Sequence, residues 1–297
     1  MSKLSFGYRI ITASLVAVSM SAIFTGCSAV RLGYNKLPEI ASWYLDSYID
    51  FTDSQGSLAK VALQKLQAWH RKEELPAIAE LLVQAQTLAP QNITPEQACK
   101  VWEGAQVRIE SLIQESSRLA APVVSQLTAK QFTHLEKEWA TRNEDWKKNW
   151  LQGTPDTRLK KRIDMAAERF GSFYGDLNSE QRQLLKQQFS KSTWTPESGY
   201  QQRLKRQQDQ LNALQTMSSE ITKPAMPMAQ VETALQALIM QSVRPKDGTE
   251  LSKQLQLEQQ ACQNLAQLHN TTTPAQRLKA QRKLKDYETD VRELMKL

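Results

Sequence analysis

Four short stretches constrain the fold of this chain more than any other feature: ITPEQ at Ile93, LTAKQ at Leu127, LNSEQ at Leu177 and TTPAQ at Thr272. In each, a good helix-capping residue (Thr94, Thr128, Asn178, Thr273) is followed three positions later by glutamine (Gln97, Gln131, Gln181, Gln276). That spacing is a capping box, in which the cap side chain accepts the orphan N–H of the third helical residue and the glutamine reaches back to the N–H of the cap. Pro95 and Pro274 stand at the first helical position, where a missing N–H costs nothing. At the second stretch, Leu127 and Phe132 sit where a hydrophobic staple would close across the cap. The intervals between boxes are unequal, 34, 50 and 95 residues, whereas a solenoid keeps one period. The single 34-residue interval lacks the tryptophan, glycine and tyrosine positions of a tetratricopeptide repeat, so a regular array is excluded.

The apolar residues recur at helical spacing between these starts. Leu37, Ile40, Ala41, Tyr44, Leu45 and Tyr48 predict one helix face, with which this first helix can pack. Leu58, Val61, Ala62, Leu66 and Trp69 through Leu81, Leu82 and Ala85 predict a second pattern, with a kink or break at Pro76. Phe132, Leu135, Trp139, Trp146 and Trp150 form a near-heptad stripe that reads as core-facing, with a partner-binding apolar surface as its alternative. A capped helix ends near Gly175, and further helices follow Asn178, Pro196 (to about Ile221), Met228, Thr249 and Thr273. TKPAMP and VRPKDG are the clearest connectors. No stretch alternates as a strand would, so the expected fold is all-α, an irregular bundle of roughly ten helices without a sheet.

The first 26 residues have a different character. A basic segment with Lys3 and Arg9 precedes the apolar run Ile10 to Phe24, then Thr25, Gly26 and Cys27. The run is shorter than the about 20 residues a membrane span needs, and its layout is that of a secretory signal. Small residues abutting a cysteine resemble the lipobox of bacterial lipoproteins, although Phe24 replaces the usual leucine. The resemblance implies cleavage before Cys27, a diacylglyceryl group on its sulfur and acylation, typically with palmitate, of the new amino terminus. Ser28 after the cysteine implies sorting to the outer membrane of a diderm cell, facing the periplasm. The expected organisation is therefore a signal peptide over 1–26, a lipidated tether over 27–36 and a helical domain over 37–297, with a candidate subdivision near 222–227.

Leaving out Lys3 and Arg9 lowers the net charge from +7 to +5. Those charges are interleaved with acidic residues, as in LEKEWATRNEDWKKNW, which reads as solvated helix faces and argues, with export, against a nucleic-acid partner. Cys99 and Cys262 remain as an even pair in a compartment that permits disulfides. They can pair, or each can serve as a small buried hydrophobe beside an alanine, as EQACKVW and QQACQNL allow. His70, His134 and His269 are far apart and form no HExxH, and the cysteine spacing matches no zinc pattern, so neither a metal site nor a cofactor is expected.

Five longer words carry a family resemblance: CSAVRLGYN, WYLDSYIDF, WHRKEELP, LTAKQFTHLEKE and FYGDLNSEQRQLL. From Cys27 to about Gln215 the chain resembles an uncharacterised family of bacterial lipoproteins built on a domain of unknown function. This implies a lipid-anchored helical envelope protein and offers no activity to carry over. Leu127 to Gln131 also resembles the LTxxQ motif of small periplasmic chaperones of the Spy type, although a capping box accounts for the same residues.

Among chemistry-bearing residues, WHRKEELP places Trp69, His70, Arg71, Glu74 and Pro76 at the expected kink, the candidate functional stretch. Glu136, Glu138 and Glu168 are carboxylates that a cell-wall glycosidase could use. No GxSxG elbow, Walker loop or GxGxxG is present. The sequence therefore favours a non-enzymatic binding or scaffold module, held to the membrane by its anchor and meeting envelope proteins. A periplasmic chaperone and a cell-wall enzyme are the alternatives. A concave apolar surface would favour the chaperone, and a cleft gathering two carboxylates the enzyme.

Overall fold

The computed structural model describes residues 29–297; Cys27 and the predicted signal peptide lie outside them. Among the described residues there are twelve α-helices, one π-helical turn and no strand. The helices are α1 (Ala29–Asn35), α2 (Leu37–Ile49), α3 (Asp53–Trp69), α4 (Leu75–Leu88), α5 (Pro95–Val124), α6 (Ala129–Trp150), α7 (Pro155–Tyr174), α8 (Ser179–Ser190), α9 (Pro196–Met217), α10 (Met228–Val243), α11 (Gly248–Asn270) and α12 (Pro274–Leu294). The protein is an all-α multi-helix bundle. Pro38–Leu297 forms one compact unit, and α1 belongs to a separate N-terminal one. No helix among the described residues is long and apolar enough to cross a membrane.

All four predicted capping boxes are formed, at Thr94, Thr128, Asn178 and Thr273. Two more, Thr52 with Gln55 and Thr195 with Ser198, open α3 and α9. Gly175 ends α7 at φ 79°, a left-handed backbone that glycine adopts freely. The 30-residue α5, about 45 Å long, is the central strut against which α3, α4, α10 and α11 pack. α12 lies along α4 and also meets α7. One core cluster joins Ala167, Tyr174, Leu177, Leu185, Leu268 and Ala280, from α7 to α12. A second joins Ala121, Met217, Val231 and Leu235, and a third joins Leu127, Phe132 and Leu211.

Four expectations need correction. The helix does not break at Pro76: the chain stays helical from Asp53 to Leu88 and widens one turn, His70–Glu74, to π geometry. There the Leu75 N–H reaches back five residues to the His70 carbonyl, so the proline is absorbed in a bulge. The inward face of α3 keeps Ala62, Leu66 and Trp69 of the predicted stripe, but its first turns differ, since Leu58 and Val61 are exposed while Gln55 and Ala59 are buried. A buried glutamine hides the register from any count of apolar positions. The predicted face of α2 is largely unpacked, with Ile40, Tyr44 and Leu45 exposed and Trp43 beside them. α9 stops at Met217, short of Ile221, because Ser218 turns extended and donates its hydroxyl to the Leu127 carbonyl at 2.6 Å.

Candidate functional site: an apolar pocket set by paired glutamine caps

The glutamines of the capping boxes do more than cap. Gln55 and Gln131, both buried, face each other across the starts of α3 and α6. Gln131 Nε2 donates to Gln55 Oε1 at 2.7 Å and Gln55 Nε2 to Gln131 Oε1 at 3.2 Å. Each carboxamide oxygen also accepts the N–H of its own cap, Thr52 or Thr128, at 3.0 Å. The second donor of each amide reaches the carbonyl two residues before the partner's cap: Gln55 to Gln126 at 2.8 Å and Gln131 to Asp50 at 3.0 Å. Both N–H groups and both lone-pair directions of each amide are thus used, which is the condition for burying it without penalty.

The same clamp recurs at the starts of α8 and α12. Gln181 and Gln276 exchange hydrogen bonds at 2.9 and 3.1 Å, and each caps its own helix. Each again donates to the carbonyl two residues before the partner's cap, Thr271 or Asp176, at 3.1 Å. Beside it, buried His269 accepts from or donates to Tyr174 Oη at 2.9 Å through Nδ1, and its Nε2 lies 2.8 Å from the Gln91 carbonyl. A carbonyl can only accept, so Nε2 carries the proton and Nδ1 accepts the tyrosine hydroxyl. Burial lowers the His269 pKa from its ordinary value and raises that of Tyr174 to about 12.

The Gln55–Gln131 clamp fixes one end of an apolar pocket of about 250 Å³. Leu45 and Ile49 come from α2, Ala59, Ala62, Leu63 and Leu66 from α3, Leu119, Ala120 and Val123 from α5, and Leu214 from α9. Val124 at the end of α5, with Phe51 and Leu127 next to the two caps, adds to the wall. No charged side chain lines it, and its one polar residue, Ser116, turns its hydroxyl onto the Ile113 carbonyl of its own helix. The helix face exposes small residues where bulky ones would have filled the gap. An apolar cavity of ~150 Å³ holds a benzene ring, so this one has room for a large apolar side chain and part of a second.

Two larger cavities carry charged side chains in their walls. One of about 450 Å³ lies among α9, α10 and α11 and carries Lys205, Asp209, Glu250 and Lys253. One of about 320 Å³ lies beside Cys99, with Glu110 and Arg244 paired at 3.4 Å in its wall. Their ionic groups largely satisfy one another: Lys205 with Asp209, and Lys253 with Glu250.

The residues singled out in the sequence distribute as follows. In the π turn, Glu74 is buried, accepts the Ser111 hydroxyl at 2.6 Å and lies 3.4 Å from Arg108, both on α5. The Trp69 and His70 rings meet edge to face at 6.5 Å, burial lowers the His70 pKa, and Pro76 stands in the first turn of α4. Arg71 is half-buried with partners of its own. This stretch is therefore a polar bolt between α3, α4 and α5 and opens onto none of the cavities described above. Glu136 and Glu168 are exposed on separate helices, and Glu138 lies 3.8 Å from Arg142. None of the three lines any of these cavities. Cys99 and Cys262 are joined by a disulfide, their α-carbons 5.4 Å apart. Trp139 packs on the third core cluster, while Trp146 stacks on Tyr200 at 5.4 Å and is half-buried, as is Trp150. Among the described residues no three His, Cys, Asp or Glu side chains gather as metal ligands would.

The described residues thus form an all-α bundle in which one pair of linked caps lies at the end of an apolar pocket. Residues 47–235 match DUF6279, a family of unknown function, and the chain belongs to that family. No curated protein and no solved structure matches the chain. The matched span contains every pocket residue except Leu45, together with the first clamp.

Proposed function

We propose that this protein is a lipid-anchored, non-enzymatic binding module of the bacterial envelope, tethered through Cys27 to the outer membrane and facing the periplasm. Its partners are envelope proteins that present apolar side chains; nucleic acid, metal and cofactor have no part in it. The observation that carries this reading is the charge-free pocket of about 250 Å³, held open between helices that the Gln55–Gln131 pair locks in place. A pocket of that kind gives orientation and affinity to a single apolar anchor, as at the centre of protein interfaces.

A chaperone for exposed apolar segments is the second reading. It is favoured by the same concave apolar surface and by the fact that LTAKQ is one arm of the clamp. A cell-wall enzyme finds less support, since Glu136, Glu138 and Glu168 line none of the three cavities described above. The anchor is tested by Cys27→Ser, which is expected to abolish acyl labelling and release the protein from membranes. Unmodified Cys27 in the wild type, with unchanged membrane fractionation of the variant, would refute it.

A further inference from the structure

We infer that the exposed face of α2 lies in the headgroup layer of the membrane that holds Cys27, an inference resting on the lipid-anchor reading. Ile40, Trp43 and Tyr44 are 52%, 73% and 50% exposed, the largest cluster of uncovered apolar side chains on one helix of the compact unit. Water does not favour such a surface, and contiguous patches of this kind mark contact sites. The side chains are held out, not loose. The C-terminal end of α2 is pinned by Arg142, whose Nη2 donates to Ser47 Oγ at 3.1 Å and whose guanidinium lies 4.0 Å over the Tyr48 ring. The Tyr44 and Tyr48 hydroxyls meet at 3.0 Å, and the Asp46 carboxylate accepts the Phe51 N–H at 2.9 Å.

Two further observations select a bilayer as the occupant. Ile40 is thirteen residues beyond Cys27, so it is held within about 45 Å of the membrane even by a fully extended chain, and closer because Ala29–Asn35 is helical. A tether of that length keeps the face at high effective concentration over the lipid, so a weak contact suffices. The chemistry agrees: tryptophan and tyrosine, apolar rings with one polar tip, are the residues enriched at the membrane–water interface. A second copy of the chain is a poorer fit. Three partly exposed side chains offer on the order of 300–400 Å², about half of the ~800 Å² per partner that a stable interface buries.

The test uses the full lipidated protein purified from envelopes and reconstituted into phosphatidylethanolamine–phosphatidylglycerol vesicles. A nitroxide is placed on Ile40→Cys, and on Leu278→Cys of α12 as a reference that is also exposed. The label at position 40 is expected to collide several-fold less with a water-soluble nickel chelate, and more with oxygen, than the label at 278. Trp43→Ser, a change at an exposed side chain that leaves the fold intact, is expected to raise nickel access at position 40. Equal nickel access at the two sites, in protein that floats with the vesicles and carries acylated Cys27, would overturn the inference and leave the anchor standing. Spin–spin broadening with shielding from both quenchers would assign the face to a second copy and also overturn it. Unacylated Cys27 and failure to float would remove the anchor and the inference together.

Discussion

Gln55 and Gln131 each tie a helix start to its own cap and to the partner helix with one side chain, so their removal should cost more than a cap. Gln131→Ala removes both bonds that the buried Gln55 amide shares with Gln131, leaving it only Gln126 and Thr52, and takes the amide donor from the Asp50 carbonyl, a loss of about 1–3 kcal/mol. Gln55→Ala should cost a similar amount, and the double variant less than the sum, because the second change removes a group already orphaned. Urea unfolding of the four proteins reads this coupling directly; strict additivity would contradict the paired geometry. His269 gives a second test. Its pKa is lowered in the folded protein by burial, so below its ordinary value near 6.5 the unfolded chain binds a proton that the folded chain resists. Stability should therefore fall as pH drops from about 7 toward 5, and His269→Gln should flatten that dependence, leaving the share of His70, which burial shifts in the same direction. A wild-type unfolding midpoint that does not move over this range would contradict it. Four of the six capping boxes, that of Gln131 among them, are read from spacing alone, while that of Thr52 and Gln55 is seen only in the structure. The pairing is not readable, because Gln55 and Gln131 are 76 positions apart and nothing local specifies which cap meets which.

Helix positions and types were legible because capping residues, prolines and glycines act within one turn of where they stand. What the helices bury was less legible. In α3 the register is set by Gln55, a polar residue that any hydrophobic count discards. At Pro76 the missing N–H predicts a kink or break, and the π turn excludes the break by keeping the helix running, which lets Glu74 face Arg108 and Ser111. Glu74→Ala should destabilise by about 1.5–3 kcal/mol, since it strips a buried charge-assisted hydrogen bond. Glu74→Gln, which keeps the shape and an acceptor for Ser111, should cost less. Chemical denaturation of the two variants checks the order; equal costs would mean that the charge on Glu74 has no part. The stripe of α6 illustrates the same limit: its spacing is right for a core, but only Phe132 and Leu135 are buried, while Trp146 is shared between Tyr200 and solvent.

At the scale of the whole molecule, the disulfide between Cys99 and Cys262 ties α5 to α11 across 163 positions. A loop of that length is worth about 5 kcal/mol in the chain-entropy model, and native bridges usually deliver 2–5. Reduction, or Cys99→Ala with Cys262→Ala, should lower the urea midpoint accordingly, and thiol titration of unreduced protein should find both cysteines blocked. The sequence left this pair open between a bridge and two small hydrophobes, because pairing depends on distance and distance on the fold. The pocket was equally out of reach: its walls come from α2, α3, α5 and α9, and the small residues Ala59, Ala62 and Ala120 that leave it empty look like ordinary helix formers. The binding role proposed for that pocket is tested most directly by a photoreactive residue at Leu66, in the pocket wall, in intact envelopes, with and without Ala62→Trp to fill the cavity. A discrete protein adduct that forms in the open-pocket protein and disappears in the filled one is the expected result. Adducts that are absent, or unchanged when the pocket is filled in a protein that keeps its wild-type unfolding midpoint, would contradict it.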